Sequence, residues 1–191
     1  MRTAISPNDF FSAWKTVCTT RKDNILAAWD DTCAYTWLML GNREGTIVRE
    51  VAEKLSDSDT AWRCYCEYYS LDAVFYLDGD LVAQCPKGST WLANTRIVFE
   101  HENDFTSGLF QEVSHLMIAR ADLRVLVTYP QEYDLKTELD RLADVIRRSG
   151  LADPNFLLIT GKGVRGENGA WKEVEWKAYT YQADGLKLLN A

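Results

Sequence analysis

The hydrophobic pattern changes period once, across Ser56-Asp57-Ser58-Asp59-Thr60, and this change limits the folds open to the chain. Before it, apolar residues recur at helical spacing. After it they alternate or run in short blocks, as strands do, with two helical stretches set between blocks. Residues 7–20 read as a helix, with Ser6 or Asn8 as cap, Pro7 in the first turn and Phe10, Phe11, Trp14 and Val17/Cys18 on one side. A second helix is expected from Asp23 or Asn24 to about Leu40, ended by Gly41. Thr46 caps a third, with Val48, Val51, Ala52 and Leu55 on its apolar side and Glu50 and Glu53 three apart on one side.

Beyond the polar connector, Trp62 to Tyr69 and Leu71 to Leu77 read as strands, and Asp78-Gly79-Asp80 as a hairpin turn leading to a strand from Leu81 to Cys85. Pro86 to Ser89 is a loop, and Ile97 to Glu100 a buried strand. A helix follows from Gly108 to about Arg120, then a β-branched core strand from Leu123 to Tyr129. A further helix runs from Leu135 to Ser149, capped near Asp134 and stopped by Gly150. Phe156 to Thr160 is another core strand, Gly161-Lys162-Gly163 leaves it as a loop, and Trp171 to Tyr181 alternates like an edge strand. Antiparallel strands first and strand-helix-strand crossovers afterwards predict an α/β fold, a mixed β-sheet flanked by helices. The expectation is a single domain over residues 1–191, with 1–56 a helical N-terminal part and 57–191 the mixed-sheet core.

Composition narrows the function. The net charge of −7 argues against nucleic-acid binding driven by bulk positive charge, though a local basic groove is compatible with it. Arg43, Arg49, Lys87, Arg96 and Lys162 are the candidate cations of such a groove. The five cysteines fit no zinc spacing and read as reduced thiols. No apolar run is long enough to cross a membrane, and Met1 to Pro7 lack the core of a secretion signal, so a cytoplasmic protein without membrane contact is expected.

The chemistry concentrates at Arg96-Ile97-Val98-Phe99-Glu100-His101-Glu102-Asn103. On a strand Glu100 and Glu102 point to one face and His101 to the other. If the strand opened by Asp72 pairs with this one, three carboxylates converge. Such a cluster repels itself unless a proton or a cation intervenes, and a divalent metal is the obvious cation.

The order helix, strand beginning with Asp, hairpin, apolar strand ending in acid-x-acid, helix, strand resembles the restriction-endonuclease-like, or PD-(D/E)XK, nuclease superfamily over roughly residues 46–130. The resemblance implies a restriction-endonuclease-like core hydrolysing phosphodiester bonds with Mg²⁺, or Mn²⁺ in its place, on nucleic acid, DNA rather than RNA. It implies Asp72 and Glu100 as catalytic metal ligands. Glu102 stands where the family usually carries Lys; a minority of its active members carry an acid-x-Glu version in which the Glu serves as general base or further ligand. An acid from the preceding helix assists in many members, and Glu53 or Glu50 is placed for that role. Some branches carry Gln-x-x-x-Tyr on the following helix, where this chain has Gln111 and, at the Tyr position, His115. No lysine lies between Lys87 and Lys136, so His115 is the candidate substitute base.

Each assignment has a plainer alternative. Asp72 can be a strand-start residue, Glu100 and Glu102 a solvated strand end, His115 a surface histidine, and Gln111, Glu112, Glu50 and Glu53 solvated helix faces. The corresponding function is a catalytically inactive member of the fold that binds a protein partner through its acidic surface. Whether the chain is an enzyme stays open at this level, and a homodimer is compatible with either reading.

Overall fold

A computed structural model describes residues 5–41, 44–105, 109–130, 135–151, 155–183 and 185–189. Helix α1 (Pro7–Thr20) starts at a capping box: the Ser6 hydroxyl accepts the Asp9 N–H and the Asp9 carboxylate accepts the Ser6 N–H. Where one helix is expected between Asp23 and Leu40 there are two, α2 (Lys22–Ala28) and α3 (Thr32–Leu40). Asp31 separates them, its carboxylate accepting the Ala34 N–H as the cap of α3. Helix α4 (Ile47–Leu55) buries Ile47, Val48, Val51 and Ala52.

Seven strands form one sheet whose spatial order is their order along the chain. Strands β1 (Trp62–Tyr68), β2 (Leu71–Leu77) and β3 (Ile97–Glu102) are antiparallel neighbours. Helix α5 (Leu109–Ile118) carries the chain to β4 (Leu123–Thr128), parallel to β3, and α6 (Leu135–Arg148) to β5 (Phe156–Arg165), parallel to β4. Antiparallel β6 (Trp171–Gln182) and β7 (Gly185–Leu188) complete it. The α/β class and the mixed sheet flanked by helices are thus as the sequence predicts.

Four local expectations are corrected. The tight hairpin is at Tyr69-Ser70, both with left-handed φ (49° and 65°), which is what a two-residue turn between twisted strands demands. Asp78–Asp80 forms a short 3-10 turn instead, and residues 81–85 form no strand, Leu81 making only an isolated bridge to Leu92. Strand β6 is an edge over most of its length, as expected, but β7 pairs with its last residues, Tyr179 to Gln182, and makes that end interior. Gly161-Lys162-Gly163 stays inside β5, where the absence of Cβ lets aromatic rings lie on the backbone. The expected helix start at Gly108, the cap at Asp134 and the candidate cation Arg43 fall outside the described residues.

Strand alternation gives the sheet two apolar faces. On one, α1 to α4 pack Phe10, Trp14, Ile47, Val51 and their neighbours over Phe75, Phe99, Val125 and Ile159. On the other, α5 and α6 pack Leu109, Val113, Leu116, Leu142 and Ile146 over Val74, Val98, Leu126 and Leu158. Arg124, 5% exposed, fixes the end of α5 from below, its guanidinium donating to the carbonyls of Leu116 (2.9 Å) and Ala119 (2.8 Å).

A Cβ at Gly161 would sit 2.7 Å from the Trp176 ring and 2.8 Å from the Tyr129 ring. Gly161→Ala is therefore expected to lower stability by about 1–3 kcal/mol through overpacking. A shift of the urea midpoint at constant m-value is the measurement, and an unchanged midpoint would show that the rings yield freely.

Candidate functional site

Strand β2 lies antiparallel to β3 with Ala73 opposite Phe99. One residue beyond that pair the ladder gives way to side chains. The Glu100 Oε2 accepts the Asp72 N–H (3.2 Å), and the Asp72 Oδ2 accepts the His101 N–H (2.8 Å). The two carboxylates thus cross between the strands, each held by a backbone N–H of the facing strand. Glu100 is 1% exposed, and its Oε1 has no hydrogen-bond partner.

Helix α5 completes the group. Its buried side, Leu109, Val113, Leu116 and Met117, fixes its rotation. Glu112 and His115, three apart and so on one side of the helix, then meet the end of β3. His115 Nδ1 lies 3.8 Å from Glu100 Oε1 and 3.4 Å from Glu112 Oε2. One donor atom from each of the three residues falls within 4.8 Å of the others. Exposure rises outward, from 1% at Glu100 to 19% at Glu112 and 33% at His115, so the cluster opens to solvent on the helix side.

Electrostatics follow from that geometry. Burial, then the neighbouring Asp72 and Glu112 charges, push the Glu100 carboxyl up to about 9. Burial raises Asp72 to about 6 against the His101 N–H, which favours its ionised form, while the Glu112 and Glu67 charges add to the rise. Without a cation the cluster holds a proton at neutral pH.

Of the residues singled out in the sequence, Asp72, Glu100 and His115 are brought together. Glu102 shares their face of the sheet but turns to its own loop, its Oε1 accepting the Asp104 N–H while its carbonyl accepts the Thr128 hydroxyl (2.9 Å). Glu53 is not with them. Helix α4 packs on the opposite face, Glu53 is exposed in a groove lined by Thr16, Val17 and Thr20, and Glu50 accepts from Arg21 at 2.8 Å. The helix-borne acid comes from α5 instead. Glu112 was a solvated helix residue by sequence, and its one signal was the i, i+3 spacing to His115. Of the expected basic rim, Arg96 is engaged by Asp80 (2.7 Å) and Asp122 (3.5 Å).

His101 points to the other face, as alternation requires. Its Nε2 lies 2.8 Å from the Tyr129 hydroxyl, to which the Tyr35 hydroxyl donates at 2.9 Å. Burial pushes its imidazole down to about 3, so it is neutral and packs as an aromatic beside both tyrosines. The cysteines are all free: Cys18 and Cys66 are buried, Cys64 and Cys85 half-buried, and Cys33 is exposed. No helix among the described residues is long and apolar enough to cross a membrane. No family model matches the chain, and no curated protein matches it.

The cluster makes stability depend on pH. Glu100 ionises near 4.5 in a solvated chain but only near 9 in the fold, so the folded state binds more protons between those values. The Glu100 contribution to the stability of the metal-free protein is then present in full below about pH 4.5 and declines as pH rises toward 9. Asp72 adds to the decline between 3.8 and about 6. Glu100→Gln, which keeps the neutral shape, should flatten the upper part of this decline and be the more stable protein at pH 9. Denaturant titrations at several pH values check this; parallel curves for the two proteins would contradict it.

Proposed function

We propose that the protein is a divalent-cation-dependent nuclease, hydrolysing phosphodiester bonds of nucleic acid, DNA in the first instance, with Mg²⁺ as cofactor and Mn²⁺ as its substitute. The observation that carries this reading is the Glu100 carboxyl, buried, crossed with Asp72, and with one oxygen unpartnered and aimed at Glu112 and His115. An acid in that setting is costly to ionise unless positive charge joins it. The described element order α4-β1-β2-β3-α5-β4 is consistent with the restriction-endonuclease-like core that the sequence resembles. The cluster also lies where β3 and β4 end, the side of parallel strands on which open sheets commonly bind ligands.

Bound there, a divalent cation would supply charge neutralisation at the phosphoryl oxygens and an activated water. The chain's own part is positional. Backbone N–H groups of the facing strand orient both the Asp72 and the Glu100 carboxylates in advance. The burial of β3 keeps bulk water from the inner side, and the partial exposure of Glu112 and His115 leaves the outer side open to a phosphate. Glu102 or His115 takes the proton of the attacking water. Glu102 at the position where the family carries Lys, turned toward Asp104, favours one second reading: a catalytically inactive protein of this fold that binds a protein partner.

Metal-stripped protein titrated with Mg²⁺ or Mn²⁺ in a calorimeter should bind one cation. With that cation it should cleave supercoiled or single-stranded DNA. Glu100→Ala should reduce both by more than about 100-fold, the upper range for loss of an outer-shell partner alone. Wild-type protein that neither binds a cation nor cuts DNA or RNA would sink the nuclease reading, and binding without cleavage would select the inactive one.

A further inference from the structure

The cluster contains a nitrogen donor, and this bears on which cation it takes. Resting on the cation-site reading above, the geometry points to a first-row transition ion, Mn²⁺ or Zn²⁺, held by Glu100, Glu112 and the Nδ1 of His115 in preference to Mg²⁺. The first support is distance. Donor atoms sharing one ion at about 2.0–2.2 Å stand roughly 3.0–3.4 Å apart. His115 Nδ1 is 3.4 Å from Glu112 Oε2 and 3.8 Å from Glu100 Oε1, so the histidine needs a contraction of a few tenths of an ångström, and the three donors lie within 4.8 Å of one another, a span that the partly exposed Glu112 side chain closes by turning inward.

The second support is that the donors are uncommitted. Glu100 Oε1 and His115 Nδ1 are both buried atoms without a hydrogen-bond partner, and they face each other. A buried carboxylate oxygen and a buried imidazole nitrogen left unpaired are each unfavourable, and one ion shared between them satisfies both. The third is chemistry. Imidazole is a ligand of transition ions, whereas Mg²⁺ prefers oxygen, keeps its waters and tolerates little departure from an octahedron.

The elements that carry the donors are held firmly. Glu100 Oε2 is fixed by the Asp72 N–H, so Oε1 can only point toward α5. Helix α5 is anchored by its buried side and by Arg124 on the carbonyls of Leu116 and Ala119. With its Nδ1 on the ion, His115 is a ligand and not the base.

The test reads the ligand directly. Metal-stripped full-length protein loaded with Mn²⁺ should show ¹⁴N modulation from one imidazole in pulsed electron paramagnetic resonance. The modulation should vanish in His115→Ala and in His115→Gln. By calorimetry Mn²⁺ and Zn²⁺ should each bind at least about tenfold more tightly than Mg²⁺, and the histidine variants should bring Mn²⁺ to within about threefold of Mg²⁺. A wild-type Mn²⁺ spectrum without nitrogen coupling overturns the inference even if neither variant folds, as does a preference for Mn²⁺ that survives the loss of His115. Glu100-dependent Mg²⁺ binding without nitrogen coupling would leave the nuclease reading standing and remove only this one, whereas no binding of any ion removes both.

Discussion

A carboxyl placed where water cannot reach it sets the terms for one whole side of the sheet. Glu100 is 1% exposed and faces two other acids, Asp72 and Glu112. Its ion-pair partner among the described residues is a histidine nitrogen 3.8 Å away. Ionising such a group uncompensated costs far more than a typical side-chain contact supplies. The fold meets this in two ways. Backbone N–H groups solvate part of each carboxylate, and a proton occupies the cluster at neutral pH. The proton relieves part of the repulsion that Asp72, Glu100 and Glu112 would otherwise share.

That placement depends on the opposite face of the same strand. His101 follows Glu100 directly, and its backbone N–H is the donor that holds Asp72. Its ring is locked among Tyr35 and Tyr129, with Trp29 edge-on to both tyrosines. The N-terminal helices bring Tyr35, in α3, and Trp29, at the end of α2, to this layer, and α1 to α4 pack on that face. The helical N-terminal part thus does not supply a side chain to the acidic cluster. It fixes the strand from behind, so that Glu100 and Asp72 meet without a search through rotamers.

Much of this was legible in the sequence because it rests on period. Alternation placed Glu100 and Glu102 on one face and His101 on the other, and the apolar blocks gave β2, β3, β4 and β5. What was not legible depends on tertiary contacts. Tyr69-Ser70 carries no Gly or Asn to announce a left-handed turn, and its strain is borne by the pairing of β1 with β2. Asp78-Gly79-Asp80 has the composition of a hairpin turn, but Asp80 is drawn inward by Arg96 and by the Leu77 N–H, and the chain leaves the sheet. Gly161 and Gly163 read as a loop until rings from Tyr129, Trp176, Trp29 and Trp171 are seen against them. Glu53 and Glu112 are both acids on amphipathic helices, and only the face of the sheet on which each helix packs separates them.

The same distinction bears on the position that departs most from the nuclease pattern. A lysine at residue 102 would bring a positive charge to a site crowded with acids. Glutamate there brings none, and the structure turns it away to the Asp104 N–H, where it closes the end of β3. The donors that do reach Glu100 arrive from α5, one acid and one imidazole on a single helical side. A search confined to the strand motif sees a missing lysine and nothing in its place. In three dimensions the neighbours of Glu100 are Glu112, which adds a further acid, and His115, which adds an imidazole nitrogen.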